Sequence, residues 1–204
     1  MTLSALLTLA VLQFFIAASP GPATILTIKT AARDGLRAGL ALALGLAVAI
    51  VLWAVAAITG LSVLFEIAPW LQAGLRVVGG LFLIWIGLQL WRGARAPLDL
   101  DAVQLPRSHG ASMRLGVFTN LANPKALAYF AAVFTGILPT DPAFADTVLI
   151  LMVVFVVELF WYAVVATLFA RPAARRLYQR IKAWIDRLFG ALISAIGIRI
   201  AVQP

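Results

Sequence analysis

The sequence predicts an all-α polytopic membrane protein: six transmembrane helices in two inverted three-helix repeats, with the first and fourth helices broken at proline motifs. Three observations predict it. Of 204 residues, 63% are hydrophobic and 12% charged, against roughly 45–50% apolar and about 25% charged in an ordinary soluble domain. A water-soluble fold cannot hide that much apolar surface, since even a 150-residue domain leaves about 30% of its unfolded-chain surface exposed. Six apolar stretches approach the ~20 residues needed to cross a bilayer. Finally, motifs of the first half recur in the second.

The first stretch runs from Leu3 to Ile28 without a charge, the second from Ala38 to Phe65, and the third from Trp70 to Trp91 with Arg76 near its start. The fourth runs from Leu115 to Leu138 with Lys125 inside, the fifth from Thr147 to Ala170 with Glu158 inside, and the sixth from Leu188 to Val202 with Arg199 near its end. Ile16-Ala17-Ala18 resembles a signal-peptide cleavage site, but no Lys or Arg precedes it. Leu3–Ala18 therefore belongs to the first span. Arg76 and Arg199 sit close enough to span ends to snorkel as anchors. The whole chain, 1–204, reads as a single transmembrane domain, with repeat 1 over about 1–95, a connecting loop over about 92–114 and repeat 2 over about 115–204.

The chain carries 16 Lys and Arg against 8 Asp and Glu. Most of the basic residues fall in alternate connections: Lys29, Arg33 and Arg37; Arg92, Arg95, Arg107 and Arg114; then Arg171, Arg175, Arg176, Arg180, Lys182 and Arg187. The opposite connections carry Glu66, Asp141 and Asp146. By the positive-inside rule the basic connections are cytoplasmic and both termini lie outside. A nucleic-acid surface needs its basic residues on one folded face, whereas these are split among short connections, so no nucleic-acid partner is expected. Within Ala173–Arg187, Leu177, Ile181, Trp184 and Leu188 recur at helical spacing with Arg176, Arg180 and Arg187 off the stripe. That pattern predicts a helix at the cytoplasmic interface, its arginines near anionic lipid headgroups.

The repeat is visible in two places. Gly80 to Leu90 lies over Gly190 to Ile200, matching Gly80 with Gly190, Gly87 with Gly197 and Ile86 with Ile196. Glycines seven apart share one helix face and admit another backbone closely. Ala18-Ser19-Pro20 falls on Ala122-Asn123-Pro124. The first span thus corresponds to the fourth and the third to the sixth. With an odd number of helices per half, the second half enters the membrane from the opposite side, the inverted-repeat design of secondary transporters.

Ser19-Pro20-Gly21-Pro22 should break the first helix, because each proline removes a backbone donor and clashes with the preceding turn. Pro20 stands nine residues before Lys29, about 13 Å deep at 1.5 Å per residue. Asn123-Pro124-Lys125 occupies the matching place in the other half. Paired breaks at matched depth point to a transporter's binding site. Lys125 costs roughly 2.5–3.5 kcal/mol near mid-membrane on insertion scales and so should face inward, where it can hold an anionic group such as a substrate carboxylate. Glu158 is its natural partner at similar depth. Burial disfavours its charged form, which suits a proton carrier or a ligand for a substrate amine.

Enzyme and metal readings find no support. No Cys and one His exclude disulfides, thiolate metal sites and an imidazole cage within one chain. There is no phosphate-binding G-x-x-x-x-G-K-[ST] loop, no H-E-x-x-H and no G-x-S-x-G. Asp99 and Asp101 lack a third ligand, and His109 reads as a solvated loop residue. No cofactor is expected, and transport without an ATP site must run on an ion or substrate gradient.

Taken in order, Ser19-Pro20-Gly21-Pro22, Arg37-Ala38-Gly39-Leu40 with Gly45, Gly80 to Gly87, Asn120-Leu121-Ala122-Asn123-Pro124-Lys125 and Gly197-Ile198-Arg199 resemble the LysE/RhtB amino-acid exporters, bacterial inner-membrane carriers. The resemblance spans nearly the whole chain. It implies export of amino acids or close derivatives driven by the proton motive force, with Pro20, Gly21, Pro22, Asn123, Pro124 and Lys125 lining the pathway, and it leaves a homodimer open. Many family members carry an acidic residue shortly after the glycine matching Gly45, where this chain has Ala49-Ile50. Either Glu158 takes over that role or substrate and coupling differ. Cargo with two amines is then disfavoured, and neutral small or apolar amino acids are expected. The alternatives are a carrier for another small solute and a non-transporting sensor or assembly partner in which Lys125 and Glu158 only fix packing. Because the chain has no native Cys, topology is directly testable: Glu66→Cys and Ala143→Cys should react with an impermeant maleimide from outside, and Leu105→Cys should not.

Overall fold

The computed structural model describes residues 2–67, 70–96, 108–136 and 142–202, and the elements among them are all α-helical. They are α1 (Leu3–Ala18), α2 (Pro22–Asp34), α3 (Leu36–Ile67), α4 (Trp70–Gly93), α5 (His109–Leu121), α6 (Pro124–Gly136), α7 (Phe144–Phe169) and α8 (Pro172–Val202). Among the described residues, Leu36–Gly60 of α3 and Phe144–Phe169 of α7 are single helices long and apolar enough to cross a membrane, and α1 with α2 forms a third, bent candidate. Exposed apolar stripes such as Met152, Val156 and Phe160 on α7 suit a lipid surround.

Both proline motifs interrupt their helices. A residue before proline is pushed out of the α region, and two such residues follow α1: Ser19, with ψ 132°, and Gly21, which is fully extended. Pro22 then opens α2, where its missing N–H would have had no helical partner anyway. The α1 and α2 axes differ by 62°. In the same way Asn123 precedes Pro124, α5 stops at Leu121, and Pro124 opens α6. Between α2 and α3 the chain turns at Gly35, whose φ of 84° favours glycine.

Five helix contacts set the packing: α4 against α8, α3 against α5 and α7, α1 against α7, and α4 against α6. The repeated glycines sit at the first of these. A Cβ on Gly80 would lie 2.6 Å from the carbonyl oxygen of Gly197, and one on Gly190 would lie 2.6 Å from that of Gly87. Gly45 and Gly116 bring α3 and α5 equally close, a Cβ on Gly45 colliding with the Met113 carbonyl.

Several boundaries differ from the sequence expectation. The fourth stretch starts at His109, because Ser108 caps the helix and accepts the Ala111 N–H at 3.2 Å. His109 is therefore in the first turn of α5, and helix occupies the part of the expected 92–114 loop from His109 onward. Lys29 is not at a span end but buried within α2, which continues to Asp34. The interfacial helix and the sixth stretch are one continuous α8, since no proline interrupts it after Pro172. Its apolar stripe, Leu177, Ile181, Trp184 and Leu188, faces outward as that expectation requires. Asp99, Asp101, Arg107 and Asp141 lie outside the described residues, as do the side chains of Arg76 and Arg175.

Overpacking a closed backbone contact costs about 1–3 kcal/mol. Gly80→Ala should therefore lower the melting temperature in detergent. Gly60→Ala, whose Cβ meets nothing within 4 Å, should not.

Candidate functional site

Breaking α1 frees carbonyl groups that neither lipid nor a following helical turn can satisfy. Side chains from other helices take them up. The Lys125 ammonium, one residue into α6, donates to the Ile16 carbonyl at 2.9 Å, to the Ser19 carbonyl at 3.1 Å and to Ser19 Oγ at 2.7 Å. Ser19 Oγ in turn donates to the Ile16 carbonyl at 2.8 Å. Tyr162 Oη of α7 donates to the Ala17 carbonyl at 3.4 Å, and Thr24 Oγ1 to that of Ser19 at 3.4 Å. A cation at the C-terminal end of α1 also complements the helix dipole there. Lys125 thus joins the two breaks, and the Asn123 side chain holds its backbone N–H at 3.0 Å.

Glu158 occupies the middle of α7, 3% exposed. Gln13 Nε2 of α1 donates to Oε2 at 2.8 Å, and Asn120 Nδ2 of α5 donates to Oε1 at 3.0 Å and to the Leu46 carbonyl of α3 at 2.8 Å. One carboxylate thereby ties α1, α5 and, through Asn120, α3 to α7. Lys125 and Glu158 do not form the direct ion pair their depths suggest. The ammonium is spent on carbonyls freed by the break and the carboxylate on two amides. Both do line one water-sized space of about 10 Å³, together with Tyr129 and Tyr162. Tyr129 Oη and Gln13 Oε1 are buried there or beside it without a hydrogen-bond partner among the described residues. Either can accept a hydrogen bond from a protonated Glu158, and the Tyr129 hydroxyl can also donate to a ligand oxygen, within the inventory of an amide oxygen and a phenol.

A larger cavity of about 310 Å³ opens between the two breaks and helices α4 and α8. Pro20, Gly21, Pro22, Asn123, Pro124 and Lys125 form one side of it; Ser19 lies fully buried beneath them. The N-terminus of α2 at this wall has no side-chain cap, so its first N–H groups and dipole favour an anion. The opposite side includes Gln89 of α4 and Tyr178, Lys182 and Asp186 of α8. Lys182 pairs with Asp186 at 2.6 Å. Asp186 precedes the sixth apolar stretch, and burial pushes its carboxyl up from its usual value, opposed by the hydrogen bond and charge of Lys182.

The structure thus brings the expected residues of both breaks around one cavity and sets Glu158 behind it. Sequence reasoning missed Gln13, Asn120 and Asp186 as site residues. Gln13 was visible as a polar side chain in a stretch with no charge. Asp186 was masked by its basic neighbours, which make that segment read as surface.

The chain belongs to the LysE type translocators, whose family model matches residues 14–204. It is a multi-pass inner-membrane translocator, not an enzyme. It is 36% identical over 201 residues to the threonine efflux protein of Escherichia coli (strain K12), covering 97% of each chain. Over 193 residues it is 32% identical to the homoserine/homoserine lactone efflux protein of Salmonella typhimurium, covering 90% of this chain and 89% of that protein. No solved structure matches it.

A hydrogen bond to a charged group contributes about 1.5–3 kcal/mol. Asn120→Ala, which removes one of the two donors to Glu158, should lower the detergent melting temperature clearly more than Thr59→Ala, whose exposed hydroxyl bonds only within its own helix.

Proposed function

We propose that this chain is a secondary exporter that moves small neutral amino acids out of the bacterial cytoplasm, driven by the proton motive force. The cargo class follows from the relatives named for threonine and for homoserine efflux. In this reading six spans form two inverted repeats within one transmembrane domain, 1–204, with both termini outside; protons and membrane lipid are the other partners, and the chain acts alone or as a homodimer. The reciprocal glycine contacts support the repeat. Gly80 matches Gly190 and Gly87 matches Gly197 in sequence, while Gly80 touches Gly197 and Gly87 touches Gly190. A two-fold axis between equivalent helices produces that exchange of partners.

The observation that carries the proposal is Lys125 reaching from the second break onto the carbonyls of the first. A charged side chain that closes one broken helix from another gives the cavity wall two arrangements, closed by Lys125 or opened when a substrate carboxylate competes for the ammonium. Ser19, Pro20, Gly21, Pro22, Asn123, Pro124 and Lys125 would bind the cargo. Glu158 would carry the proton, its Gln13 amide serving either protonation state by turning its oxygen or its nitrogen toward the carboxyl. A purely structural Lys125–Glu158 pair is not favoured, because each group bonds elsewhere.

Inside-out vesicles with an imposed proton gradient test this. Labelled threonine and homoserine should accumulate. Glu158→Gln should abolish gradient-driven accumulation while preserving folded protein and substrate exchange. Unchanged accumulation at every pH would remove Glu158 from the mechanism.

A further inference from the structure

The 310 Å³ cavity is charged on two walls, and only one wall is explained by the helix breaks. On the other, Asp186 is 3% exposed and its Oδ2 accepts from Lys182 Nζ at 2.6 Å. Its Oδ1 is buried with no hydrogen-bond partner among the described residues. Lys182 is itself held, its ammonium lying 3.4 Å from the Gly93 carbonyl at the end of α4. A carboxylate kept only for packing would have both oxygens satisfied, as buried polar atoms nearly always are. Here one oxygen is fixed by a neighbouring lysine and the other is buried and unpartnered in a residue that lines the cavity.

The wall at the breaks carries positive charge alone, whereas the α8 wall carries the Lys182–Asp186 pair. Lys125 and the uncapped start of α2 lie on the side of the breaks. Among the described residues, Asp186 is the only acidic one lining the cavity. An anion alone would leave Asp186 Oδ1 without a partner and facing a like charge. A cation alone would meet Lys125. A small zwitterion satisfies both walls at once.

We infer that Asp186 is the subsite for the cargo's α-ammonium, with Oδ1 accepting from it while Lys182 holds the carboxylate in place through Oδ2. This rests on the exporter reading above and adds to it the group that distinguishes an amino acid from other carboxylates. Lys125 and the α2 N-terminus take the carboxylate end. Because Lys182 offsets part of the Asp186 charge, the subsite recognises an ammonium by hydrogen bonding at a defined oxygen rather than by bulk charge.

The test compares threonine with its α-hydroxy acid analogue, which keeps the carboxylate and replaces the ammonium with a hydroxyl. Purified wild-type protein in detergent should bind threonine at least about tenfold more tightly, since a site built to hydrogen-bond one group rejects an analogue lacking it. Asp186→Asn should lose that preference by weakening threonine binding while leaving the analogue little affected. A structural role alone would weaken both alike, and that result overturns the inference. A second measurement needs no variant. An apolar carbodiimide should modify Asp186 in wild-type protein, read by peptide mass mapping that separates it from Glu158, and threonine should protect it while the analogue does not. Equal protection by both, or by neither, overturns the inference even if Asp186→Asn fails to fold. Threonine accumulation in vesicles with an Asp186→Asn preference like wild type sinks the subsite alone. Absence of any amino-acid uptake by wild type sinks the exporter reading and the subsite together.

Discussion

The architecture of this protein turns on one constraint: a helix broken inside an apolar surround leaves carbonyl groups that must find donors within the protein. At the end of α1 these are the carbonyls of Ile16, Ala17 and Ser19, and they are met by Lys125, Tyr162, Thr24 and the Ser19 hydroxyl. Because the donors come from α2, α6 and α7, satisfying the break also fixes where those helices sit. The cavity exists because two breaks face each other across Lys125. Without that residue the second break would have no means of closing the first.

Glu158 is a second knot in the same fabric. Its amide donors, Gln13 and Asn120, stand on α1 and α5, so one buried carboxylate ties three helices together. Around these polar ties the helices approach through glycine. The α4–α8 and α3–α5 contacts leave no room for a Cβ at Gly80, Gly190, Gly45 or Gly116. Close backbone packing contributes dispersion without requiring polar groups, which suits helices whose outer faces are apolar.

Much of the fold was legible in the sequence. The proline motifs announced both breaks, since the residue before each proline is sterically disfavoured in the α region. The apolar stretches and the paired glycines were equally plain. Helix ends were less so, because Ser108 and the continuation of α8 past its basic segment depend on local capping and on a core that buries Tyr178, Asp186 and Ile193 on one face. Of the site, Lys125, Glu158 and the break residues stood out as expensive or helix-breaking groups in apolar stretches.

What the sequence by itself determined is local: where helices must break, which residues are too polar for their surroundings, and which faces admit a close neighbour. Each follows from the backbone sterics or desolvation of a single residue. Partnership was decided only by the tertiary structure. Depth along the chain made Lys125 and Glu158 look like a pair. In space Lys125 lies nearer to freed carbonyls than to the carboxylate, and Glu158 is enclosed by two amides from other helices. Asp186, hidden among arginines in the sequence, turns inward because helical rotation places it with Tyr178 and Lys182 on the face toward the cavity. Hydrogen bonds act over about 3 Å, and only the folded arrangement sets distances on that scale between residues a hundred positions apart.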